Sequence, residues 1–286
     1  MSSQGTSHSL GRVPPSALGR ARRLLHIAVQ AVGNAGRVFL PATTDYSHIS
    51  LVWDSVPGGL VGGNIPAPGG ALRAVLQFDA PAVALLKGSG GVLGRWPLEG
   101  LMLPQLETEM RQVFASRGLN GDAFSVRSVN PIDGSVLDAG ERFAFAAQRA
   151  AVRELGAYYG MSAAALGEFA RTLKTGGTPH VWPHHFDYSL LTPLDKSGGE
   201  GSRSITLGMS PGDGYYDQPY FYATPWPYPT VKTLPAMQPP ARWHQHEWTG
   251  VVLAAADFLS LSPGSETLTT FWRQAFGVLR GLLTPV

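Results

Sequence analysis

Residues 71–87 read ALRAVLQFDAPAVALLK, two apolar runs of strand length on either side of Asp79-Ala80-Pro81. Such runs around a turn of that composition predict an antiparallel hairpin, with strands over 71–79 and 81–87. Helical periodicity lies on both sides of it. After Pro14, Pro15 and Ser16, the spacing of Leu18, Leu25, Ala28 and Val32 predicts a helix to about Val32. From Pro104 to Arg117, Leu106, Met110, Val113 and Phe114 form a second apolar face. HISLVWD, residues 48–54, supplies another strand between the first helix and the hairpin.

The second half repeats this order. Residues 140–174 are alanine-rich and predict two helices that break near Gly160-Met161, with Ser162 as a cap and Gly176-Gly177 as the stop. Strands follow over 181–192, 202–209 and 219–225, with a further loop and strand near 230–250. From Ser265 a stripe of Leu268, Phe271, Trp272, Ala275, Phe276 and Leu279 marks the closing helix. The expectation is an α+β fold, mainly antiparallel sheets packed with helices, and the order suggests a degenerate duplication of a helix–three-strand–helix unit. Residues 1–15 read as a flexible tail, 16–130 as one half and 131–286 as the other, or the whole as one compact domain. Residues 118–138 form the boundary, with 123–129 as a candidate strand. The glycine clusters PGGLVGGN (57–64) and GSGGVLG (88–94) read as hairpin connections.

Composition narrows the function classes. Of 286 residues 44% are hydrophobic, enough for a substantial core, and 15% are charged, with a net charge of +2. There is no cysteine, which excludes disulfides, thiolate nucleophiles and sulfur-ligated metal centres and fits a reducing, cytoplasmic setting. The run LLHIAVQAVGNAG after Arg20, Arg22 and Arg23 has a signal-like outline, but His26, Gln30 and Asn34 interrupt it and an amphipathic helix explains it as well. No stretch of 18 apolar residues predicts a membrane span. Basic residues form no stripe interleaved with aromatics, so a nucleic-acid partner is not expected. No GxGxxG, GxxxxGK[ST] or HExxH pattern occurs, and although GMSPG (208–212) has the GxSxG letters, an α/β-hydrolase nucleophile is not expected at Ser204, Ser210 or the Ser260–Ser262 pair.

Chemistry-bearing residues concentrate between His180 and Trp248. In PHVWPHHFDYS (179–189), strand alternation would place His180, Trp182, His184, Phe186 and Tyr188 on one face and His185 with Asp187 on the other. His185 and Asp187 could share a metal ion, or Asp187 could orient the imidazole as a general base. His184, His185, Asp187 and Asp213 are the candidate catalytic residues. His244 and His246 have the two-residue spacing by which a strand presents imidazoles to a metal, so His185, Asp187, His244 and His246 are candidate ligands for a divalent ion. Pro183 forces an edge, bulge or strand start. Between the clusters, SPGDG (210–214) is a turn, after which Tyr220 and Tyr222 share a face opposite Phe221. Trp182, Tyr216, Gln218, Tyr220, Tyr222 and Trp226 are candidate contacts to a planar or sugar-like ligand, and Pro225, Pro227 and Pro229 stiffen the exit. The plain alternatives are core aromatics, an Asx turn at Asp213, and histidines that tie strand ends or stand in a wet loop.

WPHHFD (182–187), SPGD (210–213), PYFY (219–222), PWPYP (225–229) and RWHQHEWTGVVLAAADFL (242–259) together resemble an uncharacterised bacterial protein family. The resemblance implies a fold grouping and no activity. Similar members often carry Glu at the position of Gln218 and need not repeat the His244–His246 pair; Gln218 cannot act as an acid. Three functional expectations follow: a metal- or His/Asp-assisted enzyme on a small polar or aromatic molecule, a non-catalytic binding protein with an aromatic-lined pocket, or a structural and interaction protein.

Overall fold

The computed structural model describes residues 10–127, 141–173, 177–195, 201–231 and 233–284. It is a mixed α+β fold of antiparallel sheets packed against helices, and the chain divides into two compact units. The first comprises residues 1–13, 17–157 and 181–186; the second comprises 14–16, 158–180 and 187–286. The boundary at 130 and 131 expected from the sequence lies outside the described residues, as do most of the tail and the end of the candidate strand at 123–129. No described helix is long and apolar enough to cross a membrane.

In the first unit, helix α1 (Gly19–Phe39) precedes a meander of β1 (Leu51–Asp54), β2 (Gly59–Gly62), β3 (Leu72–Gln77), β4 (Ala82–Lys87) and β5 (Val92–Pro97), then α2 (Leu103–Ser116). The hairpin around Asp79-Ala80-Pro81 forms as the sequence predicts, with Leu72 opposite Lys87 and Gln77 opposite Ala82. Leu60, Leu76, Val83 and Trp96 align across the strands, and so do Val61, Val75 and Ala84. Both rows are buried, so the sheet centre is covered on both faces. α1 lies against β2, β3 and β4, and α2 against β5. The short β6 (His180–Trp182) joins this sheet through Val181, antiparallel to β1 opposite Leu51.

Helix α3 (Arg149–Thr172) is continuous, which corrects the expected break at Gly160-Met161. A glycine costs about 1 kcal/mol against alanine in a helix. The neighbouring Tyr158, Tyr159, Ala165 and Leu166 are fully buried, and their burial outweighs it.

In the second unit the sheet order is β10 (Arg242–His244), β11 (Gly250–Ala254), β9 (Tyr220–Trp226), β8 (Ser204–Ser210) and β7 (Asp187–Pro193). α4 (Ala255–Ser260) follows β11, and α5 (Ser265–Leu283) packs on β8 and β9. The predicted stripe of α5 is the buried one, and Trp272 also donates its ring N–H to the Tyr222 carbonyl at 3.1 Å. Phe221 meets Phe258, Trp272 and Tyr158 on this core side. Strand alternation therefore turns Tyr220 and Tyr222 to the opposite face. The helix–strands–helix order recurs as expected, but the three-strand count is corrected to five between α1 and α2 and to six, β6 to β11, between α3 and α4. The glycine clusters read as connections contribute β2 and the first residues of β5.

Candidate functional site

Tyr222 lies on β9 directly opposite Gly208 of β8, which in turn faces Ser189 of β7. A Cβ at position 208 would fall 2.6 Å from the Tyr222 ring. Only glycine leaves the sheet surface low enough for the phenol to lie across β8. The ring then reaches the start of β7, where its hydroxyl donates to Asp187 Oδ2 at 2.5 Å. Two residues earlier, Tyr220 donates to Asp213 Oδ2 at 2.5 Å. Asp213 Oδ1 accepts from the backbone amides of Tyr215 at 2.8 Å and Tyr216 at 3.1 Å. The SPGDG turn is thus an Asx turn, as the plain alternative had it, with its outer carboxylate oxygen gripping a strand tyrosine.

Tyr216 continues the chain. Its ring lies 4.7 Å from that of Tyr220, and its hydroxyl is 2.9 Å from His244 Nδ1. His244 Nε2 is 2.7 Å from the carbonyl of His246. A carbonyl only accepts, so Nε2 carries the proton and Nδ1 accepts from Tyr216 when the ring is neutral. Trp248 stacks on the His244 ring at 4.1 Å, and Tyr215 meets that ring edge-on at 5.3 Å. Tyr215 donates to Glu247 Oε2 at 2.5 Å. Arg242 stands 5.9 Å over the Tyr216 ring while paired with Asp257 at 3.0 Å. Asp187, Tyr222, Tyr220, Asp213, Tyr216, His244 and Glu247 therefore belong to one cluster within the second unit.

Its electrostatics keep the phenols protonated. The bond to Glu247 pushes Tyr215 up to about 12. Burial, then the neighbouring Asp213 carboxylate, raises Tyr220 far above the usual phenol range. Burial, then Asp187, does the same to Tyr222. Tyr216 is raised as well, chiefly by burial. All four hydroxyls donate to these partners at neutral pH, while Tyr215 remains 43% exposed and Tyr216, Tyr222 and Trp248 are partly exposed.

The remaining candidates fall elsewhere. Gln218 accepts from the backbone N–H of Ala256 at 3.0 Å, so it secures the start of α4. Trp226, 51% exposed at the far end of β9, packs edge-on against Tyr228. His246 is exposed beyond the end of β10. Among the described residues no three His, Asp or Glu side chains converge as a metal-binding group, and both His244 nitrogens have protein partners.

The expected continuous strand over 181–192 is corrected to β6, a turn at 183–186 and β7. The amides of His185 and Phe186 both donate to the Trp182 carbonyl, at 3.1 and 2.7 Å, and Phe186 takes a positive φ of 59°. A left-handed residue resets the alternation, so Trp182, His184, Phe186 and Tyr188 are not one strand face and the two-residue argument for His185 and Asp187 lapses.

Through this turn Trp182, His184 and His185 join a cluster in the first unit that the motifs do not reveal. His26, Gln30 and Asn34 lie four apart on α1, and that spacing is its sequence signal. Gln30 donates its amide to the Pro183 carbonyl at 2.6 Å and to the His26 carbonyl at 2.9 Å. His26 Nε2 donates to the same Pro183 carbonyl at 2.9 Å, and its ring stacks on Phe186 at 5.2 Å. Asn34 repeats the pattern on Gln30 and Arg127. Gly33 leaves room for Pro183, whose Cγ would lie 2.6 Å from a Cβ there. Burial lowers His26 to about 4, and burial with the adjacent His185 lowers half-buried His184 to about 4. Both rings are neutral at neutral pH, and the His184 and His185 rings lie 4.4 Å apart.

Comparison with protein-family models, with characterised proteins and with solved structures yields no match.

Proposed function

We propose that the second unit is a small-molecule-binding module whose contact wall is the cluster of Tyr215, Tyr216, Tyr222 and Trp248, with Asp213 and Glu247 as its polar rim. The observation that carries this reading is the pair of phenol–carboxylate bonds made by Tyr215 and Tyr222, which hold partly exposed rings in one orientation. Rings fixed in advance lose little freedom on meeting a ligand, which favours stacking on a flat or ring-bearing molecule. Negative carboxylates beside π faces favour a ligand that donates hydrogen bonds or carries positive charge.

Binding fits these groups better than turnover. The phenols are held protonated, His244 has both nitrogens engaged, and Asp213 accepts three bonds. A His-assisted enzyme is the second reading, carried by the first unit: half-buried His184 stands beside exposed His185 and is unprotonated at neutral pH, although its lowered pKa makes it a weak base.

Titration of the tryptophan fluorescence with benzamidine, nicotinamide and indole tests the binding reading. A saturable response is expected, strongest for benzamidine, and weakened roughly tenfold in a Tyr215→Ala/Trp248→Ala variant. No saturable response to any of the three, or one unchanged in that variant, rejects it.

A further inference from the structure

We propose that the first unit carries a separate site for a small oxyanion, a carboxylate- or phosphate-bearing molecule. The site is a cavity of about 210 Å³ lined by Asp79 from the β3–β4 turn, Arg95 of β5, Glu99, Phe145, and Arg149 and Arg153 of α3, with alanine and proline completing its wall. That volume is below the roughly 300–1,000 Å³ of pockets for drug-sized molecules, so the occupant is small.

The charges are unevenly committed. Arg95 donates to Gln77 Oε1 at 2.8 Å and to the Ala80 carbonyl at 3.1 Å, which fixes its guanidinium at the rim. Glu99 accepts from the Phe145 amide at 2.6 Å. Among the described residues, no carboxylate lies within ion-pair distance of Arg149 or Arg153, although two carboxylates line the same cavity. The two arginines stand four apart on one helix, where like charges repel and weaken the helix. An oxyanion held between their planar forks relieves that repulsion through charge-assisted bonds. Three guanidinium groups against two carboxylates leave one net positive charge. The lining therefore suits a small anion that also donates a hydrogen bond towards Asp79, and disfavours a polyanion.

Thermal melts of the full chain at fixed ionic strength, with chloride exchanged for inorganic phosphate or for acetate, test the site. Phosphate or acetate is expected to raise the melting temperature where chloride does not, and the stronger of the two identifies the headgroup. In Arg149→Gln/Arg153→Gln the affinity drops about tenfold or more, since charge-assisted bonds are lost. The same variant melts no lower than the parent without anion, because the repulsion has gone. For acetate, which has no hydrogen to donate to Asp79, Asp79→Asn tightens binding about threefold by removing a like charge, which a merely structural role would not produce. Failure of both anions to act beyond chloride, or an effect unchanged in the double variant, overturns the proposal.

Discussion

The two polar clusters solve the same burial problem with different partners. In the first unit, His26 and Gln30 converge on one backbone carbonyl, that of Pro183. In the second, Tyr220 and Tyr222 each converge on a side-chain carboxylate. A carbonyl is fixed by the fold and neutral, so the first arrangement locks a turn to a helix and needs only neutral donors. A carboxylate is charged and rotatable. It demands a strong donor, and of its two donors Tyr220 is buried while Tyr222 stays partly exposed. The difference separates a tie between a helix and a backbone turn from phenols tied to other side chains.

Removing the phenols should have the largest effect. Tyr220→Phe/Tyr222→Phe leaves Asp187 and Asp213 each short of a charge-assisted donor, and urea denaturation is expected to show a loss of about 4 kcal/mol. A loss under about 1 kcal/mol would mean that water replaces the phenols and that the two clusters do not differ in this respect.

Acid tests the first cluster. Unfolded, the His26 ring takes a proton below the ordinary value of 6.5; folded, burial delays this to about 4. Between those values the unfolded chain binds more protons, so stability falls as pH falls through that window and levels off below it. The expected loss is on the order of 3 kcal/mol, in denaturation curves taken from neutral to acid pH. His184 adds in the same direction, weakened by its exposure. His26→Gln keeps an amide donor for Pro183 and should flatten the curve; an equally steep curve would place the acid-sensitive group elsewhere.

The smallest effect sharpens the contrast within the second cluster. Tyr215 is exposed, so Tyr215→Phe should change stability by no more than about 0.5 kcal/mol. An alkaline absorbance titration should lose the phenol that ionises at about 12. A large destabilisation would instead make Tyr215 part of the core.

Legibility from sequence followed the physics of each element. The α5 stripe and the 71–87 hairpin declare themselves because their burial patterns match one period. β2 was hidden because its terminal glycines read as turn formers. The Tyr220–Tyr222 face was legible from alternation, and Asp213 from turn chemistry. The partner of Tyr222 was not, since it depends on a glycine, Gly208, in the one strand that separates β9 from β7. Trp182-Pro183-His184-His185-Phe186 misled because alternation assumes unbroken extended backbone, and a phenylalanine with positive φ gives no local warning. His26, Gln30 and Asn34 were visible only as interruptions of an apolar run, because their partners lie far along the chain.

That distance has a consequence for the order of assembly. Gln30 and His26 wait for a carbonyl 153 and 157 residues downstream. A ribosome has by then already released the entire five-strand meander. The nascent first unit can pack its leading helix on β2, β3 and β4 but leaves Gln30 and His26 without the Pro183 carbonyl until that turn emerges, so this last tie is a late, long-loop event rather than a local one.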